Sequence, residues 1–206
     1  MKRELLVTAD GSHTIAIPDM NVTYHSTHGA IQESMHVFIH AGLQAIQAPA
    51  IRIFEMGFGT GLNALLTLQY ATIPVYYYAV EQFPLTAQEI EGLNYGTDLH
   101  QYPWNKDVKI SEKFTLHKAH ASLLDVTPVV QPFHLIYYDA FAPASQPELW
   151  SVAVFEKLYS LLEPGGMLVT YCSKGDVRRA MQAAGFKVEK LAGPPGKREM
   201  LRAVRP

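Results

Sequence analysis

Residues 51–63 read IRIFEMGFGTGLN, an apolar run followed by three glycines at alternate positions, Gly57, Gly59 and Gly61. Glycine reaches backbone conformations that other residues avoid and lets a ligand approach the main chain closely. In an open α/β sheet such a loop joins a strand to its helix at the edge where ligands bind. The dinucleotide fingerprint is GxGxxG, but here Leu62 holds the sixth position. The loop therefore predicts a ligand site that matches a hydride-transfer cofactor poorly.

The sequence on both sides of this loop alternates between apolar strands and amphipathic helices. Continuous apolar strands between helices indicate a parallel sheet covered on both faces. A capping box at residues 145–148 predicts the start of the helix after the fourth strand, and Pro164-Gly165-Gly166 its end. We therefore predict a doubly wound, Rossmann-like α/β sheet, mostly parallel, with an antiparallel C-terminal strand. Its predicted strands are IRIFEM, VYYYAVE, FTLHKA, HLIYYDA and GMLVTYC, followed by the antiparallel pair FKVEKLAG and EMLRAV.

The N-terminal part has a different pattern. The runs ELLVTA and SHTIAI flank Asp10-Gly11, a pair typical of a hairpin turn. A helix is predicted next, in GAIQESMHVFIHAGLQAI, with Ile31, Met35, Phe38, Ile39 and Leu43 on its apolar side. We therefore expect residues 1–45 to form a hairpin and helix extension, and residues 46–206 the main domain.

Composition excludes several classes of protein. The 206 residues are 48% hydrophobic and 17% charged, which is ordinary for a globular domain. No apolar run is long enough for a membrane helix and none resembles a secretory signal, so we expect a cytoplasmic protein without membrane contact. The single Cys172 can form neither an internal disulfide nor a thiolate metal site. Two histidine pairs, His25 with His28 and His36 with His40, lack a completing shell, and no metal is predicted.

Charge is unevenly distributed along the chain. Residues 1–170 contain 8 Lys and Arg against 16 Asp and Glu, whereas residues 171–206 contain 9 against 3. A basic C-terminal part suits an anionic partner such as nucleic acid. A solvated surface helix would explain the same pattern, and the sequence does not separate these two interpretations.

Two acidic residues flank the glycine loop. Glu55 stands before the first glycine, where an anion suits an ammonium group better than a pyrophosphate. Glu81 ends the second strand, where a carboxylate can accept both hydroxyls of a ribose. Two solvated strand ends remain the alternative. With the three glycines, this arrangement resembles class I S-adenosylmethionine-dependent methyltransferases. The resemblance implies that the neighbouring Phe58, Asn63 and Gln82 also contact the cofactor.

Asp139 ends the fourth strand in the sequence HLIYYDAFAP. It is either a turn residue or a site residue, and the predicted cap at Ser145 favours the second role. DAFAP is similar to the acid, proline and aromatic motifs of amino-group methyltransferases. That likeness implies that Asp139 orients an amine and takes its proton, while Phe141 packs on a base. Tyr171, at the end of the fifth strand, is either a core residue or a wall of the acceptor pocket.

Five motifs in order resemble the methyltransferase part of the MnmC family: EMGFGTGLN, YYYAVEQFPL, YYDAFAPASQPELW, LLEPGGMLVTYCSKGDVRRAMQAAGF and GPPGKREM. The resemblance implies S-adenosylmethionine-dependent N-methylation of 5-aminomethyl-(2-thio)uridine at the tRNA wobble position. It also implies cooperation with the enzymes that install the aminomethyl group. In this family the region before the loop, here containing Tyr24, Ser26 and Glu33, lies over the cofactor.

The chain departs from that family at two points. No second glycine-rich fingerprint follows before Pro206, so we expect a stand-alone form in which flavin plays no part. His120 and Ala121 occupy the place where methyltransferases commonly hold an aspartate against the adenine, which leaves the role of His120 open.

Basic residues of the C-terminal part are predicted to hold tRNA phosphates: Lys174, Arg178, Arg179, Lys197 and Arg198. Alternatives to this function are a methyltransferase or polyamine-synthase-like transferase acting on another amine, or a non-catalytic RNA-binding module.

Overall fold

The strand that leads into the glycine loop lies in the middle of the main sheet. The computed structural model describes residues 2–128 and 132–206. In it β4 (Ile51–Met56) pairs in parallel with β5 (Val75–Glu81) and with β8 (Phe133–Tyr138). Further parallel pairs join β5 to β7 (Phe114–His120) and β8 to β9 (Leu162–Thr170). All five strands run the same way, so their carboxyl ends form one edge.

Antiparallel strands complete both sides of this sheet. β11 (Glu199–Val204) pairs with β9 and β10 (Lys187–Ala192) with β11, which confirms the predicted C-terminal pair. On the opposite side β6 (Asp107–Ser111) pairs with β7. The sheet order is β10-β11-β9-β8-β4-β5-β7-β6. The prediction of a doubly wound, mostly parallel sheet is confirmed.

Helices cover both faces because the central strands are apolar on both. On one face α2 (Leu62–Tyr70) and a π-helical turn, Met35–His40, pack over residues such as Ile53 and Tyr77. On the other, α5 (Val152–Leu161) and α6 (Gly175–Ala183) pack over Phe54 and Tyr138. Two short helices, α3 (Ala87–Glu91) and α4 (Thr97–His100), follow β5.

Helix α5 begins later than its sequence pattern predicts. The predicted cap at residues 145–148 is wrong: Pro147–Trp150 forms a 3-10 turn, and the Ser151 hydroxyl accepts the Val154 N–H at 3.4 Å. The Trp150 indole donates to the Phe141 carbonyl at 2.8 Å, which holds the loop before the helix close to β8.

Residues 164–166 do not end α5, because the helix stops at Leu161 and these residues belong to β9.

The N-terminal hairpin is present as β1 (Glu4–Val7) and β2 (His13–Ile17), and β3 (Val22–Thr23) makes a third antiparallel strand. Its turn carries Asp10, whose Oδ2 accepts the Gln32 N–H at 3.0 Å near the start of α1 (Ala30–Ser34). The turn therefore fixes the hairpin against the helix. The predicted single helix is divided into α1 and the π-helical turn, and Ile31 is 37% exposed rather than part of its apolar side. Among the described residues no helix has the length and apolar character needed to cross a membrane.

Candidate functional site

The glycine loop turns sharply between β4 and α2. Gly57, Gly59 and Gly61 have φ of +88°, +51° and +77°, in the left-handed region that glycine enters without strain. A Cβ on Gly59 would lie 3.0 Å from Cδ1 of Tyr24, and one on Gly57 would lie 3.3 Å from the Asp139 carbonyl oxygen. Conformation and close neighbours therefore both disfavour a side chain at Gly57 and Gly59.

A first cavity of about 410 Å³ opens beyond the carboxyl ends of β4, β5, β7 and β8. Its position is the one that the sequence predicts for the ligand. It contains nine of the fourteen predicted cofactor residues: Tyr24, Gly57, Phe58, Gly59, Asn63, Glu81, Gln82, Ala121 and Asp139. The other five, Ser26, Glu33, Glu55, Gly61 and His120, lie outside its lining.

The carboxylate of Glu81 is fixed at the end of β5. Its Oε2 accepts the Gly59 N–H at 3.0 Å, and its Oε1 accepts the Phe83 N–H at 2.8 Å. Both bonds use main-chain donors, so the carboxylate keeps its orientation whatever nearby side chains do. It holds the glycine loop and faces the first cavity at the same time.

Glu55 is fully buried behind the loop, on the face covered by α2. Neither of its carboxyl oxygens has a hydrogen-bond partner among the described residues. Burial, followed by the charge of Asp139, raises its pKa well above the ordinary value. The polar side chains of Asn63 and Tyr77 oppose this rise, because they approach the carboxyl group closely enough to favour its charged form without completing a hydrogen bond of good geometry. A buried carboxyl group is costly to ionise, so burial favours the neutral form of Glu55, which lies behind the loop and outside the lining of the first cavity.

Asp139 lies at the end of β8 and faces the first cavity. The Asn63 amide donates to its Oδ2 at 2.9 Å. Burial, followed by the charge of Glu33, raises its pKa to about 7, against the opposing effects of Asn63 and Lys197. A carboxyl group with a pKa near neutrality can both take and release a proton under physiological conditions.

A second cavity of about 350 Å³ adjoins the first and shares Tyr24, His25, Ala140 and Phe141 with it. Tyr24 and Phe141 meet edge to face between the two, with ring centroids 5.3 Å apart. Four more predicted site residues line the second cavity. They are the charged Glu33 and Lys197, the phenol of Tyr171 and the hydroxyl of Ser26.

His25 ties this region to the glycine loop. Its Nε2 shares a hydrogen bond of 2.8 Å with the Thr60 hydroxyl, and its main-chain N–H donates to the Thr14 hydroxyl at 3.0 Å. Burial lowers its pKa to about 4, so the ring is neutral at pH 7. The segment before α1 is thereby held as a common wall of both cavities.

The five cations predicted to bind phosphate differ in exposure. Lys197 lines the second cavity, whereas Lys174, Arg179 and Arg198 are exposed and Arg178 is half-buried. Arg178 and Arg198 both lie close enough to Glu199 to lower its pKa. Arg179 pairs with Asp176 on the exposed side of α6.

His120 points away from the first cavity. Its main-chain N–H donates to the Asn105 side chain at 2.9 Å, and its ring lies 5.9 Å from that of Trp104. Residues 122–125, which come shortly after His120 in the chain, line the first cavity, and Asp125 is among them. A wider reading of the sequence after the third strand would have included this aspartate.

Arg3 is a cavity residue that sequence reasoning missed. Its guanidinium donates to the Phe83 carbonyl at 2.7 Å, the Pro84 carbonyl at 3.3 Å and Glu89 at 3.2 Å, and its side chain is only 8% exposed. No local sequence pattern predicts that Arg3 lines the cavity, because its position depends on where the N-terminal sheet packs.

Groups of three or more metal-ligating side chains are absent from residues 2–128 and 132–206.

Comparisons with known proteins agree with this geometry. A family described as S-adenosyl-L-methionine-dependent methyltransferase matches residues 97–206. Two curated relatives carry the name tRNA 5-methylaminomethyl-2-thiouridine biosynthesis bifunctional protein MnmC. The protein from Pseudoalteromonas atlantica is 30% identical over 98% of this chain and 33% of its own length. The protein from Cupriavidus necator is 32% identical over 89% of this chain and 32% of its own length. The chain therefore spans about a third of the length of these relatives.

Solved structures show the same likeness. MnmC2 from Aquifex aeolicus superposes with a TM-score of 0.80 at 25% identity, over 100% of this chain and 72% of that one. A ribosomal protein L11 methylase from Lactobacillus delbrueckii has a TM-score of 0.54 at 16% identity, over 86% of this chain and 79% of that one, and shows the fold alone.

Proposed function

The chain belongs to the S-adenosyl-L-methionine-dependent methyltransferases, and from that premise we propose which amine it methylates. The proposed reaction is N-methylation of 5-aminomethyl-(2-thio)uridine at the wobble position of tRNA, giving 5-methylaminomethyl-(2-thio)uridine. The names of the relatives support this acceptor. The observation that carries the proposal is Asp139, which stands beside two adjoining cavities with a pKa near neutrality.

The first cavity is the proposed site of S-adenosyl-L-methionine. Three glycines leave space along the loop, and Glu81 offers a carboxylate held in place by two main-chain N–H groups. When bound, the cofactor supplies a methyl group already activated by its sulfonium. The chain is proposed to contribute the shape of the cavity and the fixed carboxylate of Glu81, which together would align this ligand.

The second cavity is the proposed site of the acceptor base. Phe141 and Tyr171 offer aromatic surface for a flipped base. Asp139 lines the first cavity and directly precedes Ala140 and Phe141, which line both cavities. A primary alkyl amine with a lysine-like pKa is protonated at pH 7 and cannot attack until it loses that proton. Asp139 is proposed to orient the amine and accept the proton, directly or through water.

The acceptor is proposed to carry a free aminomethyl group rather than a carboxymethylaminomethyl group. An additional carboxylate on the acceptor would come close to Glu33 and Asp139, two acids near this cavity. Like charges in a partly dry pocket repel strongly. The proposal therefore includes dependence on separate enzymes that install the aminomethyl group.

The exposed cations are proposed to hold tRNA phosphates outside the cavities. Arg198 and Lys174 are free of ion pairs among the described residues, and the basic character of residues 171–206 supports an anionic partner. We further propose residues 1–45 as an extension to a methyltransferase domain of residues 46–206.

The test incubates the protein with isotope-labelled S-adenosyl-L-methionine and anticodon stem-loops that differ only at the wobble base. We expect label in the 5-aminomethyluridine RNA, and none in the carboxymethylaminomethyl or unmodified RNA. Asp139→Asn should bind both ligands and lose transfer. A fourth reaction offers a polyamine as the acceptor. Absence of label from all three RNAs, together with labelling of the polyamine, would reject the proposed acceptor.

A further inference from the structure

Glu33 and Lys197 form an ion pair in the wall of the second cavity, between Lys197 Nζ and Glu33 Oε1. The other carboxylate oxygen, Oε2, accepts the Ser26 N–H at 2.8 Å. The Glu33 side chain is 8% exposed and that of Lys197 34%. Glu33 is thus largely desolvated and Lys197 partly so, and the pair lies in the wall of a cavity.

Tyr171 connects this pair to Asp139. Lys197 Nζ lies 3.9 Å from the centre of the Tyr171 ring, and the Tyr171 hydroxyl donates to the Ala140 carbonyl at 2.8 Å. Ala140 is the residue after Asp139, so the ring that supports the cation is hydrogen-bonded to the same loop.

The chain around Lys197 is shaped to present it. The Lys197 N–H donates to the Pro194 carbonyl at 2.9 Å, closing a tight turn. Gly196 has φ of +82°, and a Cβ there would lie 2.5 Å from the His28 ring. The turn is therefore packed directly on the segment before α1, which limits how far Lys197 can move.

The two partners act on Asp139 in opposite directions, since Glu33 raises its pKa and Lys197 lowers it. The other titratable groups around the cavity have pKa values that burial shifts toward their neutral forms. In the lining these are Tyr24, His25 and Tyr171, and outside it they are Glu55, behind the glycine loop, and Cys172, next to Tyr171. More distant charges come from Asp10, Glu81 and Lys174. On the side of the first cavity the charged residues that share its lining with Asp139 are Arg3, Glu81, Asp125 and Glu148. Glu33 and Lys197 are the charged groups that shift the pKa of Asp139.

We propose that Glu33 and Lys197 are positioning residues that act as a balanced charge pair and control whether Asp139 can take the proton of the acceptor amine. The inference rests on the proposed function and deepens it. Loss of Lys197 leaves two acids, which hold the amine as an unreactive ammonium. Loss of Glu33 leaves the positive charge of Lys197 without its partner, which disfavours the ammonium form of the amine.

The first test measures the ionisation of Asp139 itself, without cofactor or acceptor. Protein labelled with carboxyl-¹³C aspartate is titrated by NMR, and Asp139→Asn identifies the signal. Lys197→Met should move its titration upward by about one pH unit, and Glu33→Gln should move it downward by a similar amount. The double variant should return close to wild type, and Lys197→Arg, which keeps the charge, should leave the titration unchanged.

Two results would overturn the inference: single variants that leave the titration in place, or singles that both move it in the same direction. If Lys197→Met is not folded by circular dichroism, Glu33→Gln and Lys197→Arg still decide the question, since only the first should shift.

The second test records the pH profile of methyl transfer to 5-aminomethyluridine RNA. The acid limb should move upward in Lys197→Met, downward in Glu33→Gln, and back in the double variant. Limbs that stay fixed while the NMR titrations shift would contradict control of transfer by this pair. An RNA that is no substrate for wild type would reject the proposed function and leave the charge balance established by NMR intact.

Discussion

Replacing Asp139 with Asn should abolish methyl transfer and stabilise the folded protein above neutral pH. Burial, followed by the charge of Glu33, raises the pKa of this carboxyl group from 3.8 to about 7 in the folded state. Proton binding therefore favours the folded state. The stabilisation is complete below the unfolded pKa and is lost as pH rises through about 7, so the ionised carboxylate destabilises the native protein at alkaline pH.

The size of this effect follows from the shift. One pKa unit corresponds to about 1.4 kcal/mol, so a rise of roughly three units sets a ceiling of about 4 kcal/mol over the whole titration. The side chain is half-buried beside a solvent-accessible cavity, which reduces that value. Between pH 5 and pH 8 we expect Asp139→Asn to gain about 1–2 kcal/mol over wild type. The new amide oxygen can still accept the Asn63 hydrogen bond.

Urea denaturation at pH 5 and pH 8 measures this difference, with the exposed Asp19→Asn as the matched control. The gap between Asp139→Asn and wild type should widen with pH, while that of the control should stay constant. A gap that is the same at both pH values would refute the reasoning that Asp139 is a desolvated acid.

Other substitutions test the loop, the N-terminal contact, a helix cap and the RNA surface. Gly57→Ala forces a side chain into φ +88°, and we expect a loss of about 1–2 kcal/mol in urea denaturation with weaker cofactor binding. Arg3→Met should weaken S-adenosyl-L-methionine binding in calorimetry about tenfold, whereas Lys2→Met, on an exposed side chain, should not. Thr86→Ala removes a capping box and should cost about 1 kcal/mol of stability without changing transfer rates. Arg198→Ala should lower the slope of log affinity for tRNA against log salt by about one, and an unchanged slope would remove it from the RNA surface.

The main sheet was predictable because its central strands are buried on both faces. β4, β5 and β8 are continuous apolar runs, and their bounds follow from where those runs stop. β6 was not predicted, because exposed and half-buried residues alternate along it and it contains no apolar run. The start of α5 was misplaced because the indole of Trp150 reaches the Phe141 carbonyl, a contact that no local pattern encodes.

The candidate site was also predictable only in part. The position of Gly57, Glu81 and Asp139 at one cavity could be predicted, because parallel strands bring their carboxyl ends to one edge. The pairing of Glu33 with Lys197 was not, since 164 positions separate them in the chain. Sequence reasoning assigned Glu33 to the cofactor and Lys197 to tRNA phosphate, and only the packing of the last loop on the segment before α1 brings them together.

The two cavities share one wall, so a ligand in either cavity would contact the same residues. Tyr24 and His25 belong to both linings, and the hydrogen bond of His25 to Thr60 connects them to the glycine loop. A ligand that orders this wall changes the affinity of the other cavity, and the second ligand must change that of the first by the same factor. If the cavities bind the two proposed ligands, one titration of S-adenosyl-L-methionine with and without RNA would therefore also give the factor by which it changes the affinity for RNA, and residues 24–25 are the segment through which that coupling would pass.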